Sequence, residues 1–187
     1  MTVLNGTTIK KLCLFGEPKL VENYIDIEVQ VQQNGIDLTV ATISKFDMPE
    51  CETPLAVIDF DNSKRQLCNI HKHPFNFEGE KHGGGMWRLP QGVYIIQFNE
   101  IVNIPNWLCA RANPRSTLMR CGCTTSTAVW DAGYSGKSSA MLSVFNPNGI
   151  TLHENARVMQ LVFETLNERV EKGYNGIYQN EGVRNGN

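Results

Sequence analysis

The chain lacks any uninterrupted apolar stretch approaching the roughly 18 residues that a membrane-crossing helix requires, and residues 1–22 place Lys10, Lys11, Glu17 and Lys19 among short apolar groups. These absences argue against a membrane helix and a secretory leader, and predict a soluble intracellular protein, cytoplasmic or nuclear, with no membrane partner. It also lacks an excess of one charge. Lys plus Arg number 17 against 19 Asp plus Glu, so the broad basic footprint of a nucleic-acid-coating protein is missing and no nucleic-acid partner is expected. An anionic ligand must then be met by a local cluster. Among the six cysteines there is no C-x-x-C pair, and Cys121-Gly122-Cys123 is too tight for a zinc ribbon. Several lie in apolar runs, which favours buried free thiols in a reducing compartment. Asn5-Gly6-Thr7 fits a glycosylation acceptor, but without a leader it reads as a polar N-terminal turn.

Long helical periodicity is scarce as well. What is present is alternation with period two: Ile25, Ile27, Val29 and Val31 stand between polar neighbours, and Asn34-Gly35 supplies a hairpin-type turn into Ile36–Val40. Further short strands are predicted at Leu55–Phe60, Val93–Phe98, Ile101–Ile104, Thr125–Trp130, Ala140–Phe145, Ile150–Leu152 and Val158–Leu166, each bounded by Gly, Pro or Asn. Many short strands with tight turns predict an all-β barrel or jelly roll. A short helix is expected from Ser116, with its hydroxyl capping the turn Thr117–Arg120. The 187 residues hold no internal repeat, so residues 1–172 are read as one domain and residues 173–187 as a flexible C-terminal segment.

Two segments are irregular. Residues 61–86 are polar and contain His71-Lys72-His73, His82 and Gly83-Gly84-Gly85, which reads as a solvated loop in preference to a metal clip, because no carboxylate or thiol stands at a fixed offset. Residues 173–187 are rich in Gly and Asn and hold few apolar groups, too few to offset their ordering entropy unless Tyr174 and Tyr178 find a docking site. A bound ligand would provide one.

The chemistry concentrates in three stretches. In Ala128–Gly136, an apolar strand delivers Asp131 into a glycine-flexed turn beside Tyr134, an arrangement that presents a base next to a flat substrate and equally describes an ordinary Asp-capped turn. At Arg115-Ser116 a helix start combines exposed N–H groups with a guanidinium, and Arg120 adds a cation one turn on, which together favour a phosphate. Gln160 interrupts the apolar strand 158–163. By alternation it shares a face with Val158 and Val162, a polar amide among buried groups that needs a partner.

Taken in order, Asn34–Thr39, Pro114–Arg120, Ala128–Gly136, Arg157–Phe163 and Tyr174–Gly182 resemble the five motifs of the dUTP diphosphatase and dCTP deaminase superfamily, over roughly residues 24–182. The resemblance implies a distorted β-barrel of jelly-roll type, assembled as a homotrimer with active sites between subunits. It implies dUTP as substrate, Mg2+ as cofactor, and hydrolysis to dUMP and pyrophosphate. Asp131 would be the general base and Tyr134 would pack under the deoxyribose, leaving no room for a 2′-hydroxyl. Arg115, Ser116, Thr117 and Arg120 would meet the phosphates with the Gln160 amide. Tyr174, Gly176, Tyr178 and Gln179 would belong to a lid that closes over the nucleotide, with Tyr178 stacking on the base. Asp37 corresponds to an aspartate acting near the metal through water, although its place after a tight turn equally suits a structural role.

The same superfamily contains deaminases of dCTP, and Ser116 and Arg120 match their Arg-Ser-Ser-x-x-Arg pattern. The short connection Thr127–Asp131 also resembles theirs. Deaminases carry a proton-shuttling glutamate on the strand after the Asp turn, whereas either register here offers Met141 or Ser143. Ile177 stands where deaminase relatives have a lysine, with Arg184 as a substitute cation. The expectation is therefore a dUTP diphosphatase, with a deaminase, a bifunctional enzyme, or an idle nucleotide-binding trimer as alternatives.

Overall fold

The structure, a computed structural model, describes residues 2–47, 56–77 and 85–183. Alternation in the sequence becomes one long antiparallel sheet. Its strand order is β10 (Cys123–Ser126), β12 (Ser139–Val144), β7 (Gly92–Phe98), β3 (Gly35–Phe46), β14 (Arg157–Thr165) and β9 (Leu108–Pro114). Strand β3 runs for 12 residues and serves both halves of the sheet: Ile36–Thr39 pair with β14, while Val40 and Thr42–Lys45 pair with β7. A register shift between Val40 and Thr42 turns the strand at the handover. A bridge between Ala110 of β9 and Trp130, just past β10, brings the two ends of the sheet together, so the fold is a nearly closed barrel of the all-β kind expected.

Two small sheets flank it. One joins β1 (Val21–Glu22), β8 (Ile101–Asn103) and β11 (Ser135–Gly136); the other joins β13 (Ile150–His153), β6 (Gly85–Leu89) and β5 (Asn76–Phe77). The core gathers Ile36, Leu38, Ile96, Phe98, Leu108, Leu142, Leu161 and Phe163, all fully buried. Each such side chain contributes about 1.5–3 kcal/mol of apolar burial.

Several sequence expectations are corrected. Residues 6–15 form α1 (Gly6–Phe15), and Asn5 is its N-cap, accepting from the Thr8 N–H at 2.9 Å. The N-terminal turn was legible; the helix it starts, burying Ile9 and Cys13 one turn apart, was not. Burial pushes the Cys13 thiol up to about 11, and all five described cysteines are free, with Cys68 and Cys121 exposed. The alternating segment Ile25–Val31 is mostly helical, as α2 (Ile27–Gln30), because Asp26 accepts from the N–H groups of Glu28 and Val29. Only the two residues of β2 (Val31–Gln32) pair with β3, through a turn at Gln33-Asn34. Gly35 is already in the strand, and what requires glycine is space: an added Cβ would lie 2.4 Å from the Leu161 carbonyl oxygen.

Between 56 and 60 the chain makes a single bridge, Val57 to Gln66, in place of the expected strand, and Leu55 lies outside the described residues. Strands β6 and β9 were not anticipated. Strand β4 (Ile70–Lys72) pairs with β3 and gives part of the polar loop a regular edge.

Candidate active site

Trp130 anchors the turn that carries Asp131. Its backbone exchanges two 3.0 Å hydrogen bonds with Ala110, and its indole N–H donates to the Ser138 hydroxyl in the interior. From this fixed point the chain turns: the Tyr134 N–H donates to the Asp131 carbonyl at 3.1 Å, with Gly133 at φ 86°, the positive value that the third position of a type II turn demands. Asp131 is exposed, and its carboxylate has no hydrogen-bond or ion-pair partner among the described residues. Tyr134 is buried. Its hydroxyl accepts from Ser138 at 3.3 Å, and burial, reinforced by the nearby Glu181 and Tyr174, pushes its pKa up against the Ser138 bond. The sequence places these two side chains side by side; the structure makes one open to solvent and the other part of the wall.

The tail lies across this turn. Gly173 crosses Gly133 so closely that a Cβ on Gly133 would stand 2.5 Å from the Gly173 Cα, and the Tyr174 N–H donates to the Ala132 carbonyl at 2.8 Å. The Tyr174 ring meets Tyr134 edge-on, with centroids 5.7 Å apart. Gln179 clamps the turn from both sides, accepting from the Ser135 N–H at 3.0 Å and donating to the Gly133 carbonyl at 2.9 Å. Asn180, Glu181 and Lys137 continue the backbone bonding along β11. Residues 173–183 therefore occupy a docking site built by the chain's own turn, a possibility that composition does not reveal. Tyr178 is largely exposed, and the close contact of Gly176 is with the Tyr174 ring, whose hydroxyl would stand 2.2 Å from an added Cβ. Arg184 lies outside the described residues.

The second group of site residues sits where β9 ends. The helix there is α3 (Ser116–Arg120), but its N-cap is Arg115 and no side chain caps it. Ser116 is the first helical residue, exposed, and its hydroxyl has no partner among the described residues, so the expected capping role is not taken up. Thr117 and Arg120 are exposed beside it, while Leu118 is buried and fixes the helix to the barrel. Beneath this corner lies Asp37, its side chain 2 % exposed. Its Oδ2 accepts from Arg157 Nη1 at 3.2 Å and is ion-paired with Arg115, whose Nε lies 3.1 Å away. Burial pushes the Asp37 carboxyl above its ordinary value, and the two guanidinium groups pull it back.

Gln160 is opposite Asp37 on one side and Asn113 on the other. It stands half-buried with Val162, not with the core-facing Met159, Leu161 and Phe163, and its amide has no partner among the described residues. The expectation of an amide enclosed by apolar groups is thus replaced by an amide on the face that Arg115 and Ser116 border.

Sequence reading missed the support under this corner. Glu100 is fully buried, accepting from Gln30 Nε2 at 2.7 Å, Thr39 Oγ1 at 2.6 Å and Thr39 N–H at 2.9 Å, while Gln30 also donates to the Asp37 carbonyl at 2.8 Å. Burial pushes the Glu100 carboxyl up. No local pattern marks a single acid that finds its donors 61 and 70 residues away.

As for a metal, no group of three or more His, Cys, Asp or Glu side chains converges among the described residues. Two guanidinium groups engage Asp37 Oδ2, so this oxygen is not open to a metal. In the polar loop His71 pairs with Asp47 at 2.6 Å and His73 meets the Arg88 carbonyl at 3.1 Å, while His82 lies outside the described residues. No helix among the described residues is long and apolar enough to cross a membrane.

Residues 3–166 match the family described as dCTP deaminase-like, and the chain belongs to that family. A probable deoxyuridine 5′-triphosphate nucleotidohydrolase of Methanosarcina barkeri is 50 % identical over 184 residues, which is 98 % of this chain and all of that protein. The deoxyuridine 5′-triphosphate nucleotidohydrolase of Methanocaldococcus jannaschii is 40 % identical over 152 residues, 81 % of this chain and 88 % of that one. Among solved structures, the 2′-deoxycytidine 5′-triphosphate deaminase of Agrobacterium tumefaciens superposes with a TM-score of 0.57 at 21 % identity, covering 86 % of this chain and 47 % of the other. That last likeness is one of fold.

Proposed function

We propose that this protein is a dUTP diphosphatase. The observation that carries the reading is the coincidence of full-length similarity to nucleotidohydrolases of dUTP with an exposed, unpartnered carboxylate at Asp131. Asp131 takes a proton from water; the water oxygen bonds to the α-phosphorus, the bond from that phosphorus to the bridging oxygen breaks, and pyrophosphate leaves. Arg115, Ser116, Arg120 and Gln160 supply the donors that hold the phosphate oxygens, and Tyr134 forms the floor under the deoxyribose. Mg2+ enters on the phosphate oxygens as part of the substrate, which asks for no resident cage of carboxylates.

Strand geometry supports a site shared between copies. Trp130 bridges to Ala110, whereas Arg115 lies five residues on, just past the end of β9, about 17 Å away at 3.3 Å per residue. One chain's Asp131 is then too far from its own Arg115 to act on the same α-phosphate. This spacing supports a site completed by a second copy, in line with the homotrimer that the family resemblance implies. The relatives are archaeal, from cells without a nucleus, so the nuclear alternative has no support.

Deamination of dCTP is the second reading, favoured by the family description. Strand β12 carries exposed Met141 and buried Ser143 where an acid–base group would be needed, and neither can shuttle a proton. A nearby carboxylate, Glu181, reaches Ser139 from the tail at 3.3 Å. Pyrophosphate release from dUTP, dCTP and dTTP with Mg2+, measured beside ammonia release from dCTP, decides the matter. Pyrophosphate from dUTP without ammonia is expected; ammonia as the principal product would overturn the reading.

A further inference from the structure

Strand β14 enters the sheet with one residue too many. Arg157 is opposite Thr39 and Met159 is opposite Leu38, so two steps on β14 match one on β3 and Val158 is extra. The burial pattern carries the same signature, with Val158 and Met159 buried in succession. Strict alternation would put Arg157 on the face of Met159, Leu161 and Phe163, inside the core. The bulge turns it instead onto the face of Gln160, since their partners Thr39 and Asp37 are two apart on β3.

There Arg157 Nη1 donates both to the Val29 carbonyl at 2.9 Å and to Asp37 Oδ2, the oxygen that also receives Arg115. Two guanidinium groups thus share one carboxylate, leaving one positive charge in excess. Both side chains are 31 % exposed, and the Nη groups of Arg115 and the Nε and Nη2 of Arg157 have no partner among the described residues. A purely structural ion pair needs one arginine. A second one, half-withdrawn from water and with unused donors, suits an anion that completes the charge balance.

We propose that Arg157 is a further phosphate-binding guanidinium beside Arg115, and that Asp37 is the positioning residue that aims Arg157 and Arg115 at one polyphosphate. This rests on the phosphate-binding reading of Arg115 and deepens it. Asp37 then acts through the arginines and touches no ligand.

The experiment measures binding by calorimetry of inorganic tripolyphosphate, of α,β-imido-dUTP with Mg2+, and of dUMP, to wild type, Arg157→Gln, Arg157→Lys and Asp37→Asn. Arg157→Gln should weaken tripolyphosphate and the imido analogue roughly tenfold or more, as loss of a charged hydrogen bond does, and leave dUMP within about twofold. Arg157→Lys should recover part of the loss, and Asp37→Asn should lower the ratio of triphosphate to monophosphate affinity without contacting either. Equal loss for all three ligands, or none for tripolyphosphate in a variant with a wild-type melting transition, overturns the proposal. Should Arg157→Gln not fold, the same comparison is made with Arg157→Lys and Asp37→Asn. The function reading fails separately: wild type that binds tripolyphosphate but not the dUTP analogue would sink the substrate and leave the guanidinium pair standing.

Discussion

Asp37 and Asp131 carry the same side chain and are held in opposite ways. Asp37 is buried under two guanidinium groups and tied through its backbone to the Gln30–Glu100 network, whereas Asp131 stands in solvent at the tip of a turn with no partner. The first arrangement fixes an array of cations before any ligand arrives, so the electrostatic work of orientation is done during folding. The second leaves a carboxylate unspent, and its surroundings must come from substrate, tail or a neighbouring copy. One corner of the molecule is preorganised and the other awaits completion.

The sharpest way to break this contrast is Asp131→Asn. Since the side chain has no internal bond, folding and melting temperature should be unchanged, while kcat for dUTP falls at least ~10²-fold; steady-state kinetics beside a thermal melt checks both, and full turnover in the variant would remove Asp131 from the role of base. Tyr134→Ala tests the wall next to it. Discrimination of dUTP against UTP should erode by about tenfold in kcat/KM, because contact with a ring is what excludes the hydroxyl. An unchanged ratio would make the ring structural only.

Gly133→Ala addresses the tail. A side chain there meets both the positive φ and the Gly173 backbone, and should cost on the order of 1–2 kcal/mol. The expected result is faster hydrogen exchange in residues 173–183 with the barrel unaffected; uniform exchange across the chain would deny the tail an independent docking equilibrium. The smallest effect concerns Glu100, a buried acid held by neutral donors where Asp37 has cations. Its folded pKa lies above the ordinary 4.5, so its contribution to stability is complete below the unfolded pKa and is lost as pH rises through the folded value. Urea denaturation between pH 4 and 7 should show that decline in wild type and a shallower one in Glu100→Gln, where the raised carboxyls of Asp37 and Glu181 remain.

Much of the barrel was legible because half-buried strands leave a period-two trace, and β7, β8, β12, β13 and β14 fall within a residue or two of their expected bounds. The Asp131 turn and the helix start at Arg115-Ser116 left a trace for another reason, since each is a few consecutive residues, whereas the pairing of Arg115 with Asp37, far back along the chain, left none. What escaped the reading was set by tertiary contact. Gln30 sits in a segment whose alternation suggests a strand, yet Asp26 caps it into a helix and Glu100, far along the chain, holds its amide. The tail has the composition of a disordered segment and still docks, since its bonds run mainly from backbone to the turn, with Gln179 the principal side-chain clamp.

The bulge at Val158 also constrains how this strand can change. Residues on either side of it are out of phase by one position, so the segment tolerates substitution more readily than an insertion. With the bulge kept, adding one residue there would send a guanidinium into the apolar interior, whereas removing Val158 would restore plain alternation with Arg157 still on the face of Gln160. Aliphatic exchanges along β14 therefore leave the guanidinium where it is, and between Ala156 and Gln160 the strand can lose its extra residue but cannot take on another.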